Sequence, residues 1–211
     1  MESLKQSYLA ATAGSKNTGA DSGSTNRVKA GYSSGLKPTD ASRWLSNFNA
    51  DFIARQKQAG SDQPMPLGPM SYGLVGHICR AVSSGDYDGA RRMVRALKAE
   101  PSLPSIFQGE DGGKAKREMV AAVHDLSQDA GFVVGAKKEL LGSILQILYV
   151  GGQTDELLDI FRLFKEQPSL ATSVIGVLAS NKETDLLRGL ELDGADPMVS
   201  EYLRKVVRYI S

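Results

Sequence analysis

A nineteen-residue segment that occurs twice constrains this chain more than any other feature of its sequence. The segment GDYDGARRMVRALKAEPSL, residues 85–103, returns as GQTDELLDIFRLFKEQPSL, residues 152–170. Seven positions are identical, including the first glycine and the closing Pro-Ser-Leu. Four more are apolar in both copies at spacing i, i+3, i+4 and i+7, which is one face of an α-helix. The sequence therefore predicts one helical unit that is used twice.

A weaker third copy extends the pattern. The stretch SILQILYVGGQTDELL, residues 143–158, resembles SVIGVLASNKETDLL, residues 173–187, thirty residues later and with one residue fewer in the turn. Helix–turn–helix units of about thirty to thirty-five residues are typical of helical-repeat proteins. We therefore predict an all-α fold of stacked helical hairpins. The pattern leaves open whether they form a regular solenoid or an irregular helical bundle.

Composition divides the chain into four parts. Residues 1–38 are rich in Gly, Ser, Thr and Ala and poor in large apolar side chains, which predicts a disordered N-terminal arm. Residues 39–57 have the spacing of an amphipathic helix, and residues 58–70 form a Pro/Gly linker. Residues 71–211 form the helical-hairpin domain with the internal repeat. Within it, the polar QGEDGG segment after Phe107 is expected to be a loop, and the next helix is expected to begin at Lys114.

Two further expectations concern how the helices of this domain are packed. The second copy of the repeat holds more large apolar residues than the first, so we expect it to be more enclosed. The last helix is expected to open at Pro197. Its inner face is predicted from six apolar residues: Met198, Tyr202, Leu203, Val206, Tyr209 and Ile210.

The helix at 39–57 concentrates aromatic residues, including the only tryptophan of the chain. Aromatic side chains carry much of the binding energy in protein interfaces. Two interpretations follow: the helix docks on the body of its own chain, or it anchors another subunit. The predicted partner-binding residues are Trp44, Leu45, Phe48 and Phe52.

A basic helix face is the candidate nucleic-acid contact. Arg91, Arg92, Arg95 and Lys98 lie on the first copy of the repeated helix, where such a face contacts phosphates or is simply solvated. No aromatic side chains alternate with these four, which disfavours sequence-specific recognition of single-stranded nucleic acid.

No catalytic, cofactor or metal site is predicted. His77 and His124 lie on different helices beside apolar stripes, which favours structural roles, and Cys79 has no second Cys/His pair at zinc spacing. The segment GEDGGKAK, residues 109–116, has three residues where the Walker phosphate loop needs four, and Ala115 replaces the hydroxyl residue. Small-molecule substrates are therefore not expected.

The composition is that of an ordinary globular chain, with a net charge of +1, a hydrophobic fraction of 41% and a charged fraction of 23%. No run of eighteen apolar residues occurs, and no apolar stretch follows the N-terminus, so we expect neither a transmembrane helix nor a secretory signal peptide. A single cysteine fits a reducing compartment, or an exported protein that needs no disulfide. The expected location is intracellular (cytoplasmic) or in a virion.

The functional prediction is a non-enzymatic structural or protein–protein interaction module. Its expected partner is a protein, with other copies of the same chain favoured, as in a virion or coat-type subunit that assembles through its N-terminal arm. The alternatives are a nucleic-acid-packaging protein, or a secreted bacterial effector or regulator with an N-terminal export signal.

Overall fold

Nine α-helices and one short 3-10 turn make up the part of the chain that the computed structural model describes, residues 38–59, 69–128 and 135–210. No β-strand occurs within these ranges, and the predicted all-α fold is confirmed there. The helices are α1 (Pro38–Ala59), α2 (Pro69–Ser83), α3 (Tyr87–Lys98), α4 (Gly109–Ser127), α5 (Ala136–Val150), α6 (Thr154–Phe164), α7 (Pro168–Ser180), α8 (Thr184–Arg188) and α9 (Pro197–Ile210). The 3-10 turn is Leu103–Ser105.

Three hairpins repeat the same burial pattern: α2 with α3, α5 with α6, and α7 with α8. The first helix of each hairpin buries four side chains at spacing i, i+3, i+4 and i+7, counted back from the turn that follows it. These are Leu74, His77, Ile78 and Ala81 in α2, Leu141, Ile144, Leu145 and Leu148 in α5, and Ala171, Val174, Ile175 and Leu178 in α7. The weak third copy seen in the sequence is therefore a structural repeat.

The turn inside each hairpin is the same Schellman motif. In the first, the N–H of Gly85 donates to the carbonyl of Val82 at 3.0 Å, and the N–H of Asp86 donates to the carbonyl of Ala81 at 2.9 Å. The same pair of bonds recurs in the second hairpin at residues 152 and 153, and in the third at residues 182 and 183. The position with positive φ is glycine in the first two turns, but in the third it is Lys182, with φ +60°.

Lys182→Gly is expected to stabilise the protein by about 0.5–1 kcal/mol. A side chain in the left-handed region costs about 1–2 kcal/mol, and the larger unfolded-state entropy of glycine offsets part of the gain. Urea unfolding followed by circular dichroism measures the change. Lys182→Ala is the control, because it removes the charge and keeps the β-carbon. Equal midpoints for the glycine and alanine variants would show that backbone strain at this position costs no stability.

The helices pack as a four-helix group at one end of the domain and as a stack of hairpins at the other. At one end, α3 and α4 each pack against both α2 and α5, which makes a four-helix group. Beyond α5 the first helices of the hairpins follow one another, α5 against α7 and α7 against α9. In this part α6 packs on both α5 and α7, and α8 packs on both α7 and α9. The insertion of α4 explains why the first two copies are separated by more residues than the second and third.

Helix α1 covers the first hairpin. It packs against α2 and α3, and Phe48 is buried between them and the rest of the core. Because of this cover, the expectation that the second copy of the repeat is the more enclosed is wrong. Leu97 at the end of α3 is fully buried, whereas its counterpart Phe164 in α6 is partly exposed. A neighbour supplied from another part of the chain outweighs the apolar content of the helix itself.

Helix α1 begins at Pro38, one residue before the predicted start, and the segment boundaries differ from the predicted ones at three further places. Helix α1 continues to Ala59 and α2 begins at Pro69, so both ends of the predicted linker 58–70 are helical. Proline is well placed at the start of α2, because the first turn of a helix leaves its N–H groups unpaired. Residues 60–68, and residues 1–37 of the predicted arm, lie outside the described part of the chain.

The predicted QGEDGG loop is the third difference, and that prediction is wrong. Helix α4 begins at Gly109 rather than at Lys114. Glu110 and Asp111 lie in its first turn, where negative charge interacts favourably with the helix dipole. Gly112 is required there for a steric reason, because a β-carbon at this position would collide with the backbone of Phe107. Gly112, which the sequence pattern placed in a loop, instead allows the first turn of α4 to lie close to the backbone of Phe107.

Candidate functional site

The last helix has two apolar stripes, and only one of them is buried. Val199 and Leu203 face the core, with Val206 and Ile210 partly buried on the same side. Met198, Tyr202 and Tyr209 are 50%, 39% and 92% exposed, so their assignment to the inner face is wrong. The physical reason is that α7 and α8 are the helices that pack most against α9, and their contacts bury the stripe of Val199 and Leu203 and leave the other stripe largely in solvent.

The exposed stripe borders a groove between α7 and α9. The groove has a volume of about 450 Å³ and is lined by Ala179, Ser180, Lys205, Val206, Tyr209 and Ile210. At Ser180 it meets a second cleft of about 420 Å³, which reaches the ends of α3 and α5. This cleft is lined by Lys98, Leu103, Gln146, Ile147, Val150, Ser180 and Asn181. We refer to the two together as the apolar groove.

Exposed apolar area on the described residues is concentrated along this groove. Five large hydrophobic side chains are exposed among the described residues. Val150 and Tyr209 line the groove, and Met198 and Tyr202 share the flank of α9 on which Tyr209 lies. The fifth, Ile53, lies on α1. Scattered exposed side chains are ordinary, whereas a contiguous set marks an interaction surface.

The polar groups of the groove include two amides and two lysines, beside the hydroxyl groups of Ser180 and Tyr209. Gln146 and Asn181 exchange amide hydrogen bonds of 3.1 and 3.3 Å, and Asn181 Nδ2 also donates to the carbonyl of Val177 at 2.7 Å. Lys98 lies at one end of the groove and Lys205 at the other, where Lys205 pairs with Glu201 at 2.6 Å. No carboxylate is among the lining residues that the structure describes.

A separate cleft, distinct from the apolar groove, lies on the opposite flank of α9. It has a volume of about 350 Å³ and carries the side chains of Arg188, Arg204 and Arg208. Its other lining residues are aliphatic: Leu187, Leu190, Leu192, Leu203 and Val207. We refer to it as the arginine cleft.

The aromatic residues predicted to bind a partner contact the chain's own body. The ring centroid of Trp44 lies 3.9 Å from that of His77, and a β-carbon on Gly73 would lie 3.2 Å from the indole. Phe48 is buried and its ring stacks at 6.4 Å from that of Phe52. Leu45 packs against the core at its edge. These contacts favour the first interpretation of α1, docking on its own chain, over the anchoring of another subunit.

A buried ion pair fastens α1 to the body. The guanidinium of Arg55 donates to both carboxylate oxygens of Glu100, at 2.9 and 3.2 Å. The Glu100 side chain is 0% exposed and also accepts a hydrogen bond from Ser71 Oγ at 3.3 Å. Arg55 further pairs with Asp51 at 2.7 Å. The hydrogen bond to Glu100 raises the pKa of Arg55, as expected for a bidentate pair with a buried carboxylate.

The predicted basic face is divided by the fold. Arg91 pairs with Glu139 of α5 and with Asp88. The pair with Glu139 therefore connects the first hairpin to the second. Arg92, Arg95 and Lys98 are exposed, and Lys98 lines the apolar groove.

The histidines and the cysteine have structural surroundings. His77 occupies the core position that Ile144 and Val174 fill in the other hairpins, and the His124 ring lies 5.7 Å from that of Phe164. Burial raises the pKa of the Cys79 thiol, which disfavours the nucleophilic thiolate. Among the described residues, no group of three His, Cys, Asp or Glu side chains is arranged to hold a metal ion.

Sequence reasoning missed both clefts, although α9 gave a signal. Its apolar residues outnumber what one buried face of a single helix needs, and Tyr202 and Tyr209 alternate with Arg204, Lys205 and Arg208.

No helix in the described ranges is both long and apolar enough to span a membrane. The chain matches no protein-family model, no curated protein and no solved structure.

Proposed function

We propose that this chain is a non-enzymatic protein-binding module that presents the apolar groove to another protein. The observation that carries the proposal is the position of four exposed large hydrophobic side chains: Val150 and Tyr209 line the groove, and Met198 and Tyr202 lie on the same flank of α9 as Tyr209. Leaving such side chains in water costs free energy that a partner recovers by covering them.

The composition of the groove suits recognition of a protein. Tyrosine combines a large apolar surface with a hydroxyl group and is enriched among residues that dominate interface energies. The paired amides of Gln146 and Asn181 retain acceptor positions that match backbone N–H groups. Lysines at both ends add polar contacts at the rim, where a non-obligate interface is normally charged.

Self-assembly into a virion or coat-type particle is a narrower form of this proposal, in which the partner is another copy. The hypothesis that the arm mediates assembly concerns residues outside the described ranges. Nucleic-acid packaging and export as an effector are separate hypotheses. An intracellular or virion location likewise stays a prediction.

Photo-crosslinking tests the groove. A benzophenone amino acid at position 209 is expected to give a defined protein adduct in the native host extract, and the same probe at position 53 is expected not to give that adduct. The partner, identified by mass spectrometry and purified, is then titrated against the wild-type chain. Tyr202→Ser/Tyr209→Ser is expected to weaken binding at least tenfold, which corresponds to about 1.4 kcal/mol.

Ile53→Ser is the matched control, because Ile53 is the exposed large hydrophobic residue that lies away from the groove. It is expected to leave the affinity unchanged. If the adduct is the same chain, light scattering after size exclusion, with absorbance at 260 and 280 nm, measures the oligomer and any bound nucleic acid. Equal affinities for the wild-type and the double serine variant would overturn the proposal.

A further inference from the structure

The exposed stripe of α9 has a spacing that is the same in both directions along the helix. Met198, Tyr202, Lys205 and Tyr209 follow one another at intervals of four, three and four residues, so they share one face. All four are exposed. The hydroxyl of Tyr202 would lie 3.9 Å from a β-carbon on Gly176, so this face is on the α7 side of α9. We refer to these four residues as the outer stripe.

A stripe with this spacing matches a second copy of itself. Residues at alternating intervals of three and four form the seam along which two helices pack. Because the intervals are palindromic, a two-fold axis between Tyr202 and Lys205 places the stripe of one chain on that of a second, antiparallel copy. Each Tyr202 then faces Lys205 of the other copy, and each Met198 faces Tyr209. Such self-complementarity is what an isologous dimer requires.

The side chains that face one another in this arrangement are chemically matched. A methionine thioether makes a favourable contact with an aromatic ring, as Met198 does here with Tyr209. A lysine ammonium is attracted to the face of a tyrosine ring, while its aliphatic stem covers apolar surface. Parallel helices would instead place Lys205 opposite Lys205 of the second copy, where like charges repel. The single lysine therefore selects the antiparallel direction, at some cost in stability.

The charged residues beside the outer stripe fit the same arrangement. Glu201 and Arg208 are exposed, and each directly precedes a tyrosine of the stripe, so both lie along one edge of it. In the antiparallel pair these edges adjoin, which brings Glu201 of each copy beside Arg208 of the other. Glu201 already pairs with Lys205 of its own helix at 2.6 Å. A carboxylate has two oxygens and accepts from both cations.

We propose that the outer stripe of α9 docks antiparallel on the outer stripe of a second copy of this chain, with two Glu201–Arg208 ion pairs between the copies. The inference rests on the proposed function, because it names a second copy as the protein that covers the groove. Met198 of the second copy enters the groove beside Tyr209. A helix of 14 residues buries a small area, so we expect a weak dimer with a Kd of about 1–100 µM.

Charge exchange between two chains tests the ion pairs. Sedimentation equilibrium of the full chain measures the dimer from about 1 µM to about 1 mM. Glu201→Arg and Arg208→Glu are each expected to weaken dimerisation at least tenfold, because each places like charges across the axis. An equimolar mixture of the two variants is expected to form a heterodimer with an affinity within threefold of wild type, since both pairs are restored with exchanged signs. This recovery also shows that both variants fold.

The matched control is Arg95→Glu, which reverses an exposed arginine on α3. It is expected to change the dimer affinity less than twofold. Tyr202→Ser/Tyr209→Ser removes both aromatic rings of the outer stripe and is expected to weaken dimerisation at least tenfold.

Cysteine pairing tests the direction of the two helices. A mixture of Met198→Cys and Tyr209→Cys chains is expected to give a disulfide-linked heterodimer on oxidation, because these positions face one another. Neither variant alone is expected to link, since about 16 Å of helix separates the two copies of one position. The wild-type chain controls for links through the native Cys79.

Three outcomes overturn the inference: a chain that stays monomeric over the whole range, mixed charge variants that dimerise no better than either alone, or a single cysteine variant that links as fast as the mixture. A dimer that the double serine variant leaves intact also overturns it. The proposed function fails separately. A monomeric chain whose probe at position 209 links to a different protein overturns the second copy as occupant and keeps the groove as a binding site.

Discussion

Replacing Phe161 by alanine is expected to lower the free energy of unfolding by about 3–5 kcal/mol, the range seen for fully buried phenylalanines. Phe161 is 0% exposed and lies on α6, which packs between α5 and α7. Its removal leaves a cavity where three helices meet, and close-packed neighbours relax into such a space only in part. Urea unfolding followed by circular dichroism measures the loss.

Phe164→Ala is the matched control, because it removes the same side chain from the same helix one turn later. Phe164 is partly exposed at the edge of the core, so we expect a loss of about 1–2 kcal/mol. Met93 in the first copy is as fully buried as Phe161, and Met93→Ala is expected to cost about 2–4 kcal/mol. Equal midpoint shifts for Phe161→Ala and Phe164→Ala would contradict the burial described for α6.

Replacing Glu100 by glutamine is expected to destabilise the attachment of α1 by about 3 kcal/mol. The substitution keeps the size of the side chain but leaves the charge of Arg55, which is 11% exposed, without its buried counter-charge. The fluorescence of Trp44, the only tryptophan, reports the release of α1 because the indole packs on His77 and Gly73. We expect the fluorescence change to precede the loss of helical circular dichroism as urea is raised.

Two variants control this experiment. Asp51→Asn removes the outer carboxylate, which is 28% exposed, and is expected to cost less than about 1 kcal/mol. Arg55→Met/Glu100→Leu removes both charges and is expected to recover most of the stability, since apolar replacement of a buried pair is often neutral. If Glu100→Gln unfolds like the wild type, the pair does not hold α1 in place.

Local features of the sequence predicted most helices. The repeated segments form the second helices of two hairpins, and α9 opens at Pro197 as expected. These successes rest on hydrophobic periodicity and on caps, both of which act within a few residues. The Schellman turns belong to the same class, because each needs only a short run of backbone and a residue that tolerates positive φ.

The repeated Pro-Ser-Leu shows where local rules stop. At residues 101–103 it leads into the 3-10 turn, whereas at residues 168–170 it opens the thirteen-residue helix α7. The residues that follow differ, with Pro104 in the first copy and Ala171 in the second. Proline at this place permits either outcome, so the shared tripeptide does not by itself determine which one forms.

The sites were less predictable than the helices. The periodicity of α9 allows two apolar stripes, one through Val199 and Leu203 and one through Tyr202 and Tyr209, and the pattern does not say which one is covered. The aromatic residues of α1 stood out in the sequence as interface candidates, but Phe48 is buried and Trp44 packs on the chain's own body. Burial depends on which distant helix arrives, and the arginine cleft exists only because α8 and α9 meet.

The amino-acid sequence alone was enough to establish the all-α class, the repeated hairpin and the order of most helices, because periodicity and turn chemistry act over a few neighbouring residues. The tertiary structure decided that α1 covers the first hairpin, that α4 separates the first two copies, and that one flank of α9 keeps its apolar side chains in solvent. The reason is that burial depends on contacts between segments far apart in the chain. Because the hydrophobic effect is non-directional, the apolar pattern of one segment does not specify which other segment will cover it.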